Sequence, residues 1–103
     1  MRRSSKDRNH DAIASHFRAL GCSVIETHNA GIPGFPDLVV GCIGHNRLVE
    51  VKNPETRYGK AGLNDNQTAF NRDWRGERMY QVSSTDEATA VVQNWRKPHV
   101  DDF

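Results

Sequence analysis

Three ionisable residues stand where the chain is otherwise apolar. Glu50 and Lys52 lie in the segment LVEVK at 48–52, and Asp37 directly precedes the apolar segment LVV at 38–40. Side chains alternate across a strand, so Glu50 and Lys52 are expected on one face. Burying charged groups costs free energy unless they have partners or a function. Carboxylates are ligands that suit Mg²⁺, and an ammonium group can stabilise negative charge on a phosphate.

A hairpin between the two apolar segments would bring Asp37 to the other two residues. If its turn is centred on residues 44 and 45, antiparallel pairing places Asp37 opposite Lys52 and Val39 opposite Glu50. The Cβ atoms of opposed residues lie about 4.5–5.5 Å apart, so the three ionisable side chains converge. The structural alternative is an ion pair on an exposed edge strand. The apolar neighbours of Glu50 favour a central strand instead.

Hydrophobic spacing along the chain alternates between helical and strand periods. Glycine ends the first two helical segments, and capping-box patterns, Asn64 with Gln67 and Ser84 with Glu87, begin the last two. We predict helices over 7–20, 64–75 and 85–95, and strands over 22–27, 38–43, 47–52 and 79–83. The last strand should join the sheet in parallel, through a helical crossover. The order α-β-β-β-α-β-α predicts an α/β domain with a small mixed sheet flanked by helices.

Composition limits the class of protein further. The 103 residues, with 14 Lys+Arg against 13 Asp+Glu, predict one folded domain over 1–103 with a core at about 7–95. A net charge of +1 means that any basic surface must be local. Cys22 and Cys42 lack zinc spacing and are interpreted as small buried residues. Without an apolar segment suited to a membrane helix or a secretory signal, we expect a cytoplasmic protein.

Three motifs together resemble a known family. They are GFPD at 34–37, EVK at 50–52 after twelve intervening residues, and LNDNQ at 63–67. The first two are similar to the PD-(D/E)XK nuclease signature, and the third resembles the downstream glutamine motif of the VRR-NUC family. The likeness spans about residues 7–92 in motifs and in element order. It implies a restriction-endonuclease-like core and a standalone nuclease of phage type, acting in a bacterium or a phage-infected cell.

The resemblance also implies roles for individual residues. Asp37 and Glu50 would bind Mg²⁺ or Mn²⁺, with the backbone carbonyl of Val51 as a third ligand. Lys52 would position or activate the water that attacks the phosphate. Gln67 would be the active-site glutamine, although the capping box offers it a structural role as well, and both can hold.

The first helix departs from the family pattern. Many related nucleases carry an additional acidic residue there, but no glutamate occupies that slot in this chain. His10 lies on the apolar face of the helix, with Asp7 and Asp11 to its side. Either His10 approaches the site or one of the aspartates acts through water. The structural alternative is that all three are ordinary residues of a first helical turn.

Candidate substrate contacts flank the predicted site. His28 and Asn29 belong to the glycine- and proline-rich loop over 28–36, where close approach of a phosphate backbone is possible but turn formation is an equal explanation. Arg57, Tyr58 and Lys60 follow the hairpin and could meet phosphates or stack on bases, or could belong to a solvated loop. Basic residues near the amino terminus would add phosphate affinity without sequence preference.

These observations predict a metal-dependent DNA endonuclease that acts on branched or structured DNA, such as four-way junctions or flaps. The alternative is a catalytically silent module of similar shape that binds DNA or a protein. A base-specific restriction-type enzyme is less favoured, because few residues remain for a recognition domain. Phe70, Trp74 and Trp95 are expected in the core or in an interface. A homodimer is predicted, since cutting two strands requires two sites.

Overall fold

The computed structural model describes residues 9–27, 30–53 and 64–97. Within these ranges the order of elements agrees with the predicted α-β-β-β-α-β-α order. The elements are α1 (His10–Ala19), β1 (Ser23–Glu26), β2 (Leu38–Cys42), β3 (His45–Val51), α2 (Asp65–Asp73), β4 (Tyr80–Val82) and α3 (Thr85–Arg96). The described part of the chain is therefore a small mixed α/β domain. No helix in it has the length and apolar character needed to cross a membrane.

The four strands form one sheet in the order β1-β2-β3-β4. β1, β2 and β3 pair antiparallel, whereas β4 runs parallel to β3, as the helical crossover predicts. Helix α1 packs against α3 and β1, and together they cover one face of the sheet. The buried apolar side chains between these layers are Ile13, Ala14, Phe17, Cys22, Leu38, Val40, Cys42, Val49, Val51, Val82, Ala88, Val92 and Trp95.

Aromatic contacts extend this core towards β4. The rings of Phe17 and Trp95 are stacked with centroids 6.1 Å apart, and Tyr80 meets Trp95 edge-on at 5.3 Å. The guanidinium of Arg47, a buried residue, lies 4.6 Å from the Trp95 ring centroid. A cation over an aromatic face is stabilised by the ring quadrupole, which offsets part of the cost of burying Arg47.

The register of the predicted hairpin is wrong by two residues. The strands pair Leu38 with Val49 and Val39 with Leu48, not Val39 with Glu50. Extending this register places Asp37 opposite Glu50 rather than opposite Lys52. Because side chains alternate with a period of two, the correction leaves the ionisable residues on the same face.

The turn explains the difference. Ile43 and Gly44 both have positive φ, 54° and 78°, and they form a two-residue turn between Cys42 and His45. Turns of this kind match the twist of the flanking strands, so they are favoured even though φ > 0 is unfavourable for isoleucine. We predicted that the first hairpin strand continues to Ile43 and that residues 44–46 form the turn. The first strand instead ends at Cys42 and the second begins at His45.

Several local predictions are confirmed with small shifts of boundary. Gly21, at φ 94°, follows α1. The Ser84 hydroxyl accepts a hydrogen bond from the Glu87 amide, but the Glu87 carboxylate accepts from Ser83 rather than from the cap residue itself.

Both cysteines are buried free thiols, as the sequence predicts. Burial, reinforced by a hydrogen bond with Cys42, raises the pKa of the Cys22 thiol to about 12. Cys22 therefore stays protonated at neutral pH.

Candidate active site

The predicted site residues meet at one end of the sheet. Asp37 directly precedes β2, Glu50 is near the end of β3, and Lys52 follows that strand. The Lys52 amide donates to the Val82 carbonyl at 2.9 Å, which extends the parallel pairing beyond β3. Glu50 is 2% exposed and Lys52 is 7% exposed, so both charged side chains lie inside the protein.

Gln67 joins these two buried groups. Its side-chain Oε1 accepts from Lys52 Nζ at 2.8 Å, and its Nε2 donates to Glu50 Oε2. Lys52 Nζ also lies 3.7 Å from Glu50 Oε2, within range of an ion pair. An amide can satisfy a carboxylate and an ammonium at once, because it carries both an acceptor and donors.

The same glutamine closes the capping box of α2. The Asn64 side chain accepts from the Gln67 amide at 2.9 Å, and Gln67 Oε1 accepts from the Asn64 amide at 3.0 Å. Gln67 therefore closes the capping box, as predicted, and contacts the two buried charged groups at the same time. The first turn of α2 is consequently fixed against the end of β3.

Asp37 is held by the backbone of the neighbouring strand. Its Oδ2 accepts a hydrogen bond from the Val51 amide at 2.9 Å. Its own carbonyl accepts from the Thr27 amide at 2.9 Å, which ties the residue to the end of β1 as well. The structure thus brings Asp37, Glu50, Val51, Lys52 and Gln67 to the same end of the sheet.

A cleft opens beside these residues, with a volume of about 420 Å³. Its lining comes from the end of β1, the loop before β2 and the start of α2: Thr27, Gly31, Ile32, Pro33, Gly34, Phe35, Asp37, Asn64, Asn66 and Gln67. Gly34 passes so close to α2 that a Cβ there would lie 2.1 Å from the Asn66 carbonyl oxygen. With its φ of 76°, this position requires glycine on both counts.

The start of α1 lies at the same end of the sheet. The Asn9 side-chain amide donates to the carbonyls of Lys52, at 3.0 Å, and Ser83, at 2.7 Å. His10 is fully buried, and its Nε2 lies 3.1 Å from Glu26 Oε1. His10 thus approaches the end of β1, where it has a carboxylate partner.

Glu26 is a residue that sequence reasoning missed. One ligand atom each of His10, Asp11 and Glu26 lies within 4.8 Å of the others, a spacing that could hold a metal ion. Burial by itself would raise the Glu26 pKa, but hydrogen bonds from Arg18 and His10 lower it below its ordinary value. The available signal was weak: an acidic residue ends the first strand on the face that α1 covers, and charge is uncommon there.

The predicted substrate contacts His28, Asn29, Arg57, Tyr58 and Lys60 lie outside the described residues, as does Asp7. Of the aromatic residues, Trp95 is in the core, Phe70 is half-buried, and Trp74 is 43% exposed.

Comparisons with protein-family models, curated proteins and solved structures find no match to this chain. The geometry of the described residues is therefore the ground for assigning a function.

Proposed function

We propose that this chain is a Mg²⁺- or Mn²⁺-dependent DNA endonuclease with a restriction-endonuclease-like core. The observation that carries the proposal is the arrangement at the end of β3. A buried carboxylate, Glu50, and a buried ammonium, Lys52, are joined by Gln67 beside a cleft that Asp37 lines. Burying such groups is costly unless they are paired or have a function, and here Glu50 and Lys52 lie within ion-pair distance of each other, with the neutral amide of Gln67 hydrogen-bonded to both.

The residues present fit a hard divalent cation. Asp37 and Glu50 supply carboxylate oxygens from facing strands, and Mg²⁺ usually takes one or two carboxylates and completes its shell with water and phosphate oxygens. The Val51 carbonyl is the proposed third ligand, from the residue whose amide already holds Asp37. When bound, the cation would lower the pKa of a water molecule and neutralise phosphate charge.

The remaining residues would orient the reaction. Lys52 would hold the attacking water or stabilise the charge that develops on the phosphate oxygens. Gln67 would keep Lys52 and Glu50 in position. Attack of water on phosphorus breaks the bond to the 3′ oxygen, which leaves as a hydroxyl and takes a proton, and the phosphate stays on the 5′ end.

Branched or otherwise structured DNA is the proposed substrate class, with a homodimer as the active form. The described chain contains one such site, whereas cutting both strands of a duplex needs two sites related by symmetry. The cleft beside Asp37 is open and lined mainly by polar groups, which suits a phosphate backbone better than the largely apolar sites typical of small ligands.

The test is cleavage of single-stranded, duplex, flap and four-way-junction DNA with Mg²⁺, with Mn²⁺ and with EDTA. We expect metal-dependent cleavage of at least one structured DNA, and a loss of at least about 1000-fold on Asp37→Asn, Glu50→Gln or Lys52→Met. Asp86→Asn is the matched control, because Asp86 is an exposed carboxylate in the first turn of α3.

Two results would contradict the proposal. One is full activity in all three site variants. The other is DNA retardation that is equal with and without divalent ions, with no cleavage under any condition, which would indicate a binding module. Circular dichroism of each variant shows whether a loss of activity is a loss of fold.

A further inference from the structure

A row of aromatic side chains runs from the loop before β2, through α2, to the residue that follows this helix. The rings of Phe70 and Trp74 are stacked, with centroids 5.2 Å apart and planes 17° from parallel, and Phe35 meets Phe70 edge-on at 5.4 Å. We call these three residues the aromatic row. None of the residues of α2 is buried, so the row is not part of the apolar core. It becomes more exposed along its length, from half-buried Phe35 to Trp74, which is 43% exposed.

The exposed end of the row borders a groove of about 360 Å³. The groove is lined by Pro33, Asn66, Ala69, Phe70, Asp73 and Trp74. Pro33 and Asn66 also line the cleft beside Asp37 and Gln67, so the groove continues that cleft along α2. A DNA strand that placed a phosphate in the cleft would run its neighbouring nucleotide into the groove.

The polar groups at the groove favour a nucleobase over a phosphate. The residues that line the groove include no cation, and the Asp73 carboxylate accepts hydrogen bonds from Arg72 at both oxygens, at 2.8 and 3.0 Å, so the lining offers no positive charge of its own to a phosphate. The same carboxylate can accept hydrogen bonds from the exocyclic amino group of a base, and the Asn66 amide can both donate and accept. The indole of Trp74 is stacked on Phe70, but the residue is still 43% exposed, and this accessible aromatic surface is one on which any base can stack.

We propose that this groove is a base-stacking subsite, in which an unpaired nucleobase next to the scissile phosphate stacks on Trp74. The inference rests on the proposed nuclease function and deepens it. A base inside a duplex is already stacked on its neighbours and cannot reach Trp74 without being extruded. The subsite therefore selects DNA with an unpaired or splayed nucleotide at the cut, such as a flap or the arm of an open junction.

The test measures DNA binding separately from cleavage. The DNA is a flap duplex with 2-aminopurine as the unpaired base, whose fluorescence falls on stacking, and a fully paired duplex of equal length serves for comparison. All proteins carry Glu50→Gln and are studied with Mg²⁺, so that the DNA stays intact. We expect quenching by the parent protein, and loss of quenching with about 5- to 100-fold weaker flap binding on Trp74→Leu.

Leucine is chosen because it keeps an apolar side chain over Gly76, where the Trp74 ring now lies, while removing the aromatic face. Trp74→Phe keeps a smaller aromatic face and should retain part of the quenching. Ile25→Ala is the matched control, since Ile25 is another large exposed apolar residue, 64% exposed, on edge strand β1. It should change neither quenching nor affinity.

Three outcomes would overturn the subsite. The first is unchanged flap binding by Trp74→Leu, and the second is an equal loss on the fully paired duplex. The third is a dimer that Trp74→Leu converts to a monomer in light scattering while DNA affinity stays the same, which would make the row an interface between copies. Cleavage by the protein without Glu50→Gln is assayed in parallel. DNA cleavage without quenching of 2-aminopurine would refute the stacking subsite but not the nuclease function. Quenching without cleavage would refute the nuclease function.

Discussion

The two sides of the sheet are built in different ways. The side that faces α1 and α3 is closed by apolar packing: Phe17 and Ile13 are fully buried there, and Trp95 stacks on Phe17. On the other side, α2 buries no residue. It is held by Gln67, by the close approach of Gly34, and by the contact of Phe35 with Phe70.

This difference separates stability from function. Burial of apolar area is non-directional and supplies most of the free energy of folding, so the packed side can carry the domain. Hydrogen bonds are directional but add only about 0.5–1.5 kcal/mol each, so the side of α2 fixes geometry more than it stabilises. Substitutions on the packed side should lower stability, whereas substitutions around α2 should change activity.

The largest expected effect is on the packed side. Phe17→Ala removes a fully buried ring and should cost about 3–5 kcal/mol of unfolding free energy, because the cavity left behind cannot close completely. Urea unfolding followed by circular dichroism measures this. Phe70→Ala makes the same chemical change on half-buried α2 and should cost clearly less. Equal losses would mean that α2 is as much a part of the core as α1.

The packed side is also the side that the sequence predicts best. Apolar spacing placed Ile13, Phe17 and Val92 correctly, because the hydrophobic effect depends on residue type and period and not on exact neighbours. The hairpin register could not be obtained in that way. The register depends on Ile43 adopting a positive φ. The surrounding structure imposes this backbone conformation, and isoleucine as a residue type does not indicate it.

The sequence predicts only part of the candidate site. A period of two places Glu50 and Lys52 on one face in either register, so their convergence with Asp37 survives the correction. Gln67 was marked by its capping box. The pairing of Glu26 with His10 joins elements far apart in sequence, and neither residue type nor spacing specifies which side chains meet across a helix and a strand.

The next-largest expected effect concerns Gln67, whose contacts with the buried charged groups can be tested separately from its contacts with the cap residue of α2. Gln67→Glu keeps an acceptor for the Asn64 amide but places a carboxylate against Glu50, where the amide now donates. We expect about 10- to 100-fold lower cleavage, because residues that orient metal ligands have effects of this size, and some loss of stability from the repulsion between the two carboxylates. Single-turnover cleavage and urea unfolding measure the two quantities.

Asn64→Ala is the matched variant for the cap. It removes the side-chain acceptor of the Gln67 amide and should lower stability by about 0.5–2 kcal/mol. Its cleavage rate should remain closer to that of the unsubstituted protein than that of Gln67→Glu. The reverse ranking of the two rates would show that Gln67 acts on the helix and not on the site.

A third, smaller effect tests the close approach of the loop to α2. Gly34→Ala would place a Cβ 2.1 Å from the Asn66 carbonyl oxygen, so α2 must shift, at a cost of about 1–3 kcal/mol. Gly44→Ala, in the hairpin turn away from the cleft, has the same left-handed strain, at φ 78°, but meets nothing within 4 Å. Only Gly34→Ala should reduce cleavage as well. Similar activity in both variants would mean that the position of α2 does not matter to the reaction.

The smallest expected effect tests whether Glu26, on the side packed against α1, contributes only to stability or also to cleavage. The lowered pKa of Glu26 means that its charged form is favoured in the folded protein, so its contribution is present above its ordinary pKa of 4.5 and is lost as the pH falls through the lowered value. Glu26→Gln should therefore be less stable at pH 7 by a fraction of a kcal/mol, which is usual for a partly exposed ion pair, and equally stable near pH 2.

Arg18→Met should likewise reduce the change in stability between pH 2 and pH 7, because it removes the ion pair in which Arg18 Nη2 lies 3.3 Å from Glu26 Oε2. Among the described residues, His10 and Asp11 each place a titratable atom within 4.8 Å of that carboxylate, so urea unfolding is compared across the whole range from pH 2 to pH 7 for both variants. If Glu26 only fastens α1 to β1, cleavage by Glu26→Gln at pH 7 should be unchanged. A loss of cleavage with retained stability would place His10 and Glu26 within the site, and the packed side would then share in the chemistry.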